Sequence, residues 1–117
     1  MARLSTHVLD TERGGPAVGV GLTLCLLSAN GRTELARAVT NADGRTDAPL
    51  LSGETIPVGV YELTFAAGAY LRASGRTLPD PAFLDEVVIR FGVGDAAEHY
   101  HVPLLLSSHG YSTYRGS

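Results

Sequence analysis

The last twenty residues, EHYHVPLLLSSHGYSTYRGS, hold three of the chain's four histidines, three of its five tyrosines and an arginine. A tail that only frays into solvent would be polar and simple, and this one is neither. An imidazole titrates near ~6.5 and can take a proton at neutral pH, while a guanidinium offers a rigid fork of donors to developing negative charge. Strand parity sorts the segment. His99, His101, Pro103 and Leu105 share one face, and Tyr100, Val102, Leu104 and Leu106 share the other. The second face is a core face. His101 therefore lies on a surface that is neither core nor fully charged, where it is either an ordinary surface histidine or part of a cleft. His99 and His101 project the same way and could hold zinc, but a tetrahedral site needs four ligands and no cysteine pair or third close ligand stands near. No metal site is expected.

Two other residues qualify more weakly. His7, in LSTHVLD, shares its parity with Ser5 and Leu9. Arg45, in DGRTD, is flanked by Asp43 and Asp47 and reads on its own as a solvated loop cation. No nucleophile elbow, P-loop, dinucleotide fingerprint or paired-carboxylate motif occurs, so spacing alone names no reaction.

The elements that must position these groups read as strands. Short alternating segments bounded by Gly, Pro, Asn and Asp recur along the chain, the pattern of an all-β antiparallel sandwich or barrel. From Pro16 to Ser28, Val18, Val20, Leu22, Leu24 and Leu26 alternate with small residues, predicting a strand with one buried face. Asn30-Gly31 predicts a two-residue turn into a partner over 32–40. GVYELTFAA and DEVVIRFGV predict two more strands, with Tyr61, Leu63, Phe65, Val87, Ile89 and Phe91 inward. GAYLRASG lacks β-branched residues and ends at Gly75, which predicts one short helix with a left-handed C-terminal glycine. Residues 98–107 and 110–116 predict a closing hairpin around Ser108-His109-Gly110.

Composition sets the bounds. A chain of 117 residues fits a single domain, here 1–117, able to bury over ~60% of its unfolded surface. Hydrophobic residues make up 44% and charged ones 18%, the balance of a packed protein. The net charge is −3, and the nine cations, all arginine, form no basic stripe, so nucleic acid is not an expected partner. Cys25 lies in an apolar run and is expected to be a small buried hydrophobe. No stretch approaches the roughly 18 apolar residues of a membrane span, and the first residues lack a secretory apolar region, so a cytoplasmic protein without membrane contact is expected.

Taken together, LSTHVLD, GRTD and the closing YHVPLLLS and GYSTYRGS, with Gly59, Tyr61, Glu62, Leu63 and Phe65 between them, resemble the 5-hydroxyisourate hydrolases, the enzyme branch of the transthyretin-like family. The resemblance implies an eight-stranded antiparallel β-sandwich with one short helix, assembled as a homotetramer, a dimer of dimers with active sites in a channel between dimers. It implies hydrolytic opening of 5-hydroxyisourate to 2-oxo-4-hydroxy-4-carboxy-5-ureidoimidazoline in urate degradation, with no cofactor. Carried over by motif, His7, Arg45, His101 and Ser117 are the implied catalytic set. Tyr114 joins His7 and Arg45 in binding substrate, and Tyr114 and Ser117 close the pocket. The turn departs from the family's usual Ser-Pro-Tyr-Gly, reading Ser107-Ser108-His109-Gly110. A transthyretin-like carrier without catalysis is the alternative, and a bulky Tyr114 narrowing the channel counts against it.

Overall fold

The computed structural model describes residues 1–116, so Ser117 lies outside the described residues. Along the chain run β1 (Ala2–Asp10), β2 (Gly15–Pro16), β3 (Gly21–Ser28), β4 (Gly31–Val39), β5 (Leu51–Gly53), β6 (Gly59–Phe65), helix α1 (Ala67–Ala73), β7 (Val87–Val93), β8 (His99–Leu106) and β9 (Tyr111–Thr113). One sheet has the order β2-β1-β8-β9, with β5 also paired to β1, and the other has the order β4-β3-β6-β7. Setting aside the two-residue β2, these are the expected eight strands of a sandwich with one short helix. Gly75 carries φ +91°, the left-handed ending that its position predicts.

The alternation explains the layers. Leu4 and Val8 of β1, Tyr100, Val102, Leu104 and Leu106 of β8, Leu22 and Leu24 of β3, and Tyr61, Leu63 and Phe65 of β6 are buried between the sheets. Each large apolar side chain so buried contributes about 1.5–3 kcal/mol against the entropy of ordering the chain. One pairing departs from the antiparallel rule. β1 and β8 run parallel, in register from Arg3↔His99 through Asp10↔Leu106.

Local expectations differ in four places. Val18 is 52% exposed, because the chain turns at Gly19 (φ +85°) and β3 begins only at Gly21. In the first hairpin Ser28 pairs with Gly31, so the loop residues are Ala29 and Asn30, and only Gly31 takes a positive φ. Cys25 is half-buried, since it faces away from the core at an irregularity in the β3–β4 pairing. β9 ends at Thr113, and the chain meets β8 again only at a bridge between His101 and Gly116. Pro103 explains that gap, because its ring leaves no N–H for a ladder bond opposite Tyr114.

A buried ionic clamp fixes the far end of β1. Asp10 is 1% exposed, and its Oδ2 accepts from the Tyr70 hydroxyl of α1 at 2.6 Å. Arg76 donates to both carboxylate oxygens of Asp10 at 2.8 and 2.9 Å and reaches Glu12 at 3.1 Å. Glu12 in turn accepts from the Ser108 amide and hydroxyl at 3.0 and 2.8 Å, anchoring the proline-free β8–β9 turn. Burial alone would raise the Asp10 pKa, yet hydrogen bonds from Tyr70, Arg76 and the Arg13 amide hold it below the ordinary carboxylate value. Since the native value is the lower one, this carboxylate stabilises the fold above its unfolded pKa and ceases to do so as pH falls through the native value. Asp10→Asn should cost about 3 kcal/mol at pH 7, lowering Tm by roughly 10 °C. The gap to the parent should shrink in melts run near pH 3, and a gap independent of pH would show that the carboxylate charge is not what holds this corner.

Candidate active site

In a parallel pair, residues in register share a face, so the outward row of β1 lies beside the outward row of β8. That places Arg3 beside His99, Ser5 beside His101 and His7 beside Pro103, all on the sheet face turned away from the core. His7 follows Ser5 by two residues, a rise of roughly 6.6 Å along the strand.

Arg45 reaches this face through a compact turn. The Asn41 side-chain oxygen accepts from the Asp43 and Arg45 amides at 2.9 and 3.2 Å, and the Asn41 amide donates to the Arg45 carbonyl at 2.8 Å. Gly44 sits at φ +74°, and its carbonyl accepts from the Val8 amide at 2.8 Å. A Cβ at Gly44 would press onto the Val8 carbonyl oxygen and lie 3.1 Å from Pro16 Cβ, so the turn docks on β1 only because this residue has no side chain. The docking makes an antiparallel bridge between His7 and Arg45. His7 Nε2–H donates to the Asp43 carbonyl at 2.8 Å. A carbonyl cannot donate, so Nε2 carries hydrogen and the neutral ring keeps its lone pair on Nδ1.

A cleft of about 360 Å³ opens here, lined by Arg3, Ser5, Arg45, His99, Tyr100 and His101. No carboxylate lines it among the described residues. Asp47 belongs to the adjoining recess and accepts from the Asn41 side-chain amide at 3.0 Å, and among the described residues Arg45 pairs with neither Asp43 nor Asp47. His101 is half-buried and shares a 2.8 Å hydrogen bond between its Nδ1 and Ser5 Oγ. Burial, followed by the positive charges of Arg45, His7 and Arg3, pushes its pKa below the ordinary imidazole value of 6.5. At neutral pH this ring is an uncharged base in a cationic cleft.

The tail crosses the same histidine. The Gly116 amide donates to the His101 carbonyl at 2.7 Å, and a Cβ on Gly116 would lie 2.6 Å from His101 Cδ2. Arg115 secures the approach, donating to Glu98 at 2.6 Å and the His99 carbonyl at 3.0 Å, with its guanidinium 4.2 Å from the Tyr100 ring centroid.

This arrangement can be set beside known proteins. Residues 4–116 match the HIUase/Transthyretin family. The chain belongs to that family. A 5-hydroxyisourate hydrolase from Mesorhizobium japonicum is 60% identical over 98% of this chain and 92% of its own. Among solved structures, an (S)-allantoin synthase superposes with a TM-score of 0.92 at 42% identity; the match covers 99% of this chain and 44% of that one. A sea bream transthyretin in complex with thyroxine superposes with a TM-score of 0.85 at 31% identity, over 97% of this chain and 94% of its own.

Within this member of the HIUase/transthyretin family, the structure brings Arg45 and His101 to one cleft and His7 to the neighbouring row. Tyr114 is 60% exposed and lines a different recess, with Phe91, Tyr100, Val102 and Arg115, at the edge of the sandwich. Sequence reasoning passed over Arg3, Ser5 and Gly116. Parity alone had put Ser5 on the His7 face, but nothing in the sequence says that β1 pairs with β8. Gly44→Ala should lower stability by about 2 kcal/mol or more through positive φ and backbone overlap, and should disorder Arg45 with it. Denaturant titration checks the first effect, and a variant as stable as the parent would show that the turn docks in some other way.

Proposed function

We propose that this chain hydrolyses 5-hydroxyisourate, opening its six-membered ring, and that the cleft of His101 and Arg45 on the outer β1–β8 face is where it does so. What carries the reading is a half-buried His101, its pKa pushed down by burial and neighbouring positive charge, sharing with the Arg45 guanidinium a cleft that no carboxylate lines among the described residues. His101 takes a proton from a water molecule as its oxygen bonds to the ring carbonyl carbon. Arg45 stabilises the oxyanion that forms, and its fork of donors holds the ring in place. As the carbon–nitrogen bond breaks, His101 returns the proton to the leaving nitrogen, and the carbonyl carbon becomes a carboxyl group that releases the water's second proton to solvent as a carboxylate forms. His7, with Nε2–H committed to Asp43, offers Nδ1 to the same water. General-base help of this kind is worth on the order of 10²–10⁴ in rate.

The proton transfers and the oxyanion are both served by side chains, so the scheme invokes neither metal nor cofactor. In the same reading the protein works in the cytoplasm as a homotetramer, a dimer of dimers. Tyr114 closes the pocket where subunits meet, which supplies the wall that a single chain leaves open at the cleft. A carrier without catalysis would have no use for a neutral base beside a guanidinium that pairs with no carboxylate among the described residues.

The test is optical. With 5-hydroxyisourate generated from urate in the cuvette, the protein should accelerate its decay, and His7→Ala and His101→Ala should each cut kcat by on the order of 10²-fold or more with the fold intact. Arg45→Lys should also be damaging, because an ammonium cannot reproduce the fork. The acid limb of kcat should fall below pH 6.5, since protonation of His101 removes that base, and Arg45→Gln should move that limb upward by removing a neighbouring charge. Decay no faster with assembled protein than without it would reject the activity.

A further inference from the structure

We propose that Ser5 is a positioning residue for His101, its hydroxyl acting as a neutral acceptor that keeps hydrogen on Nδ1 and leaves Nε2 as the nitrogen that does chemistry. The inference rests on the hydrolase reading above for its kinetic consequence, though not for its geometry.

Ser5 and His101 are register partners in the parallel ladder, so the hydroxyl is delivered to the ring by backbone pairing and not by a flexible loop. The two atoms are 2.8 Å apart. On the opposite side of Cγ, the Cδ2 edge faces Gly116, where even a methyl group would lie at 2.6 Å. With Nδ1 tied and Cδ2 walled, Cε1 and Nε2 are the ring atoms left to meet a substrate.

The proton balance is simple. In the resting ring Nδ1–H donates to Ser5 Oγ and Nε2 holds the lone pair. Nε2 takes the proton of the attacking water and then delivers it to the leaving nitrogen, while the Nδ1–H bond to Ser5 persists through both transfers.

The choice of serine has a physical reason. A carboxylate at this position would fix the same tautomer but would also stabilise the imidazolium and raise the pKa of the base. Among the described residues, the charged and titratable groups around His101 are Arg3 and His7 from β1, Arg45 from the docked turn and His99 from its own strand, with Asp47 only in the adjoining recess. A neutral acceptor leaves that cationic balance undisturbed.

The experiment combines histidine-selective ¹⁵N NMR on the assembled protein with kinetics of three variants. The wild-type His101 spectrum should show the Nδ1–H tautomer at pH 7.5. Ser5→Ala should mix the tautomers and lower kcat roughly 10-fold or more with KM changed less than about 3-fold, while Ser5→Thr restores both. Ser5→Asp should raise the acid limb of kcat by about one pH unit or more. An Nε2–H tautomer in the wild type, or Ser5→Ala with unchanged kcat and pH profile, would overturn the proposal. Wild-type protein that leaves 5-hydroxyisourate untouched would defeat the hydrolase reading instead, with the tautomer measurement still deciding what Ser5 does.

Discussion

The parallel pairing of β1 with β8 is the constraint on which the rest depends. In phase, it sets Leu4 beside Tyr100, Thr6 beside Val102 and Val8 beside Leu104 on the core side. The same phase sets Ser5 beside His101 on the outer side. A slip of one residue would exchange the two faces of one strand, in β8 exposing Leu104 and Leu106 and burying His99 and His101, at a cost of many kcal/mol. Thr6 holds the phase from within, its hydroxyl donating to the Val102 carbonyl at 2.7 Å. The Asp10–Tyr70–Arg76 clamp holds the end of the same strand. Site geometry is thus a by-product of core formation, with the outer groups placed by what the inner ones bury.

The two sheets handle charge in opposite ways. On the β6 side, Glu62 is only 4% exposed, yet Arg32 and Arg90 approach its carboxylate at 3.1 and 2.8 Å. That charge is neutralised where it lies. On the β1–β8 side the cleft gathers Arg3, Arg45, His99 and His101 with no carboxylate among the described residues lining it. The imbalance carries a stability cost that core packing must offset, and it adds to burial of the ring in holding the His101 pKa below the ordinary imidazole value. Unbalanced charge in a cleft is more informative about function than paired charge under a sheet.

Much of the fold was legible because alternation reports burial directly. The inward sets of β6, β7 and β8, the short helix and the glycine that ends it all follow from period and propensity. The candidate groups His7, Arg45 and His101 became a set only through resemblance, since strand alternation says which face a residue takes but not which strand lies beside it. Ser5 and Gly116 were invisible for that reason: a hydroxyl and a missing side chain acquire meaning only from the ring between them. Val18 misled because apolar alternation ran on past Gly19, where backbone conformation, not hydrophobicity, decides the path. Pro103 was read for its parity alone, whereas its missing N–H is what releases Tyr114 and Arg115 from the ladder.

The most direct test of the central claim is a crystal structure of the assembled protein with a purine analogue that cannot be hydrolysed. The account predicts one analogue in the β1–β8 cleft, with Arg45 and His101 Nε2 both within about 3.2 Å of it or of one water held against its carbonyl carbon. An analogue seated elsewhere, or held in that cleft with His101 turned away from it, would contradict the account.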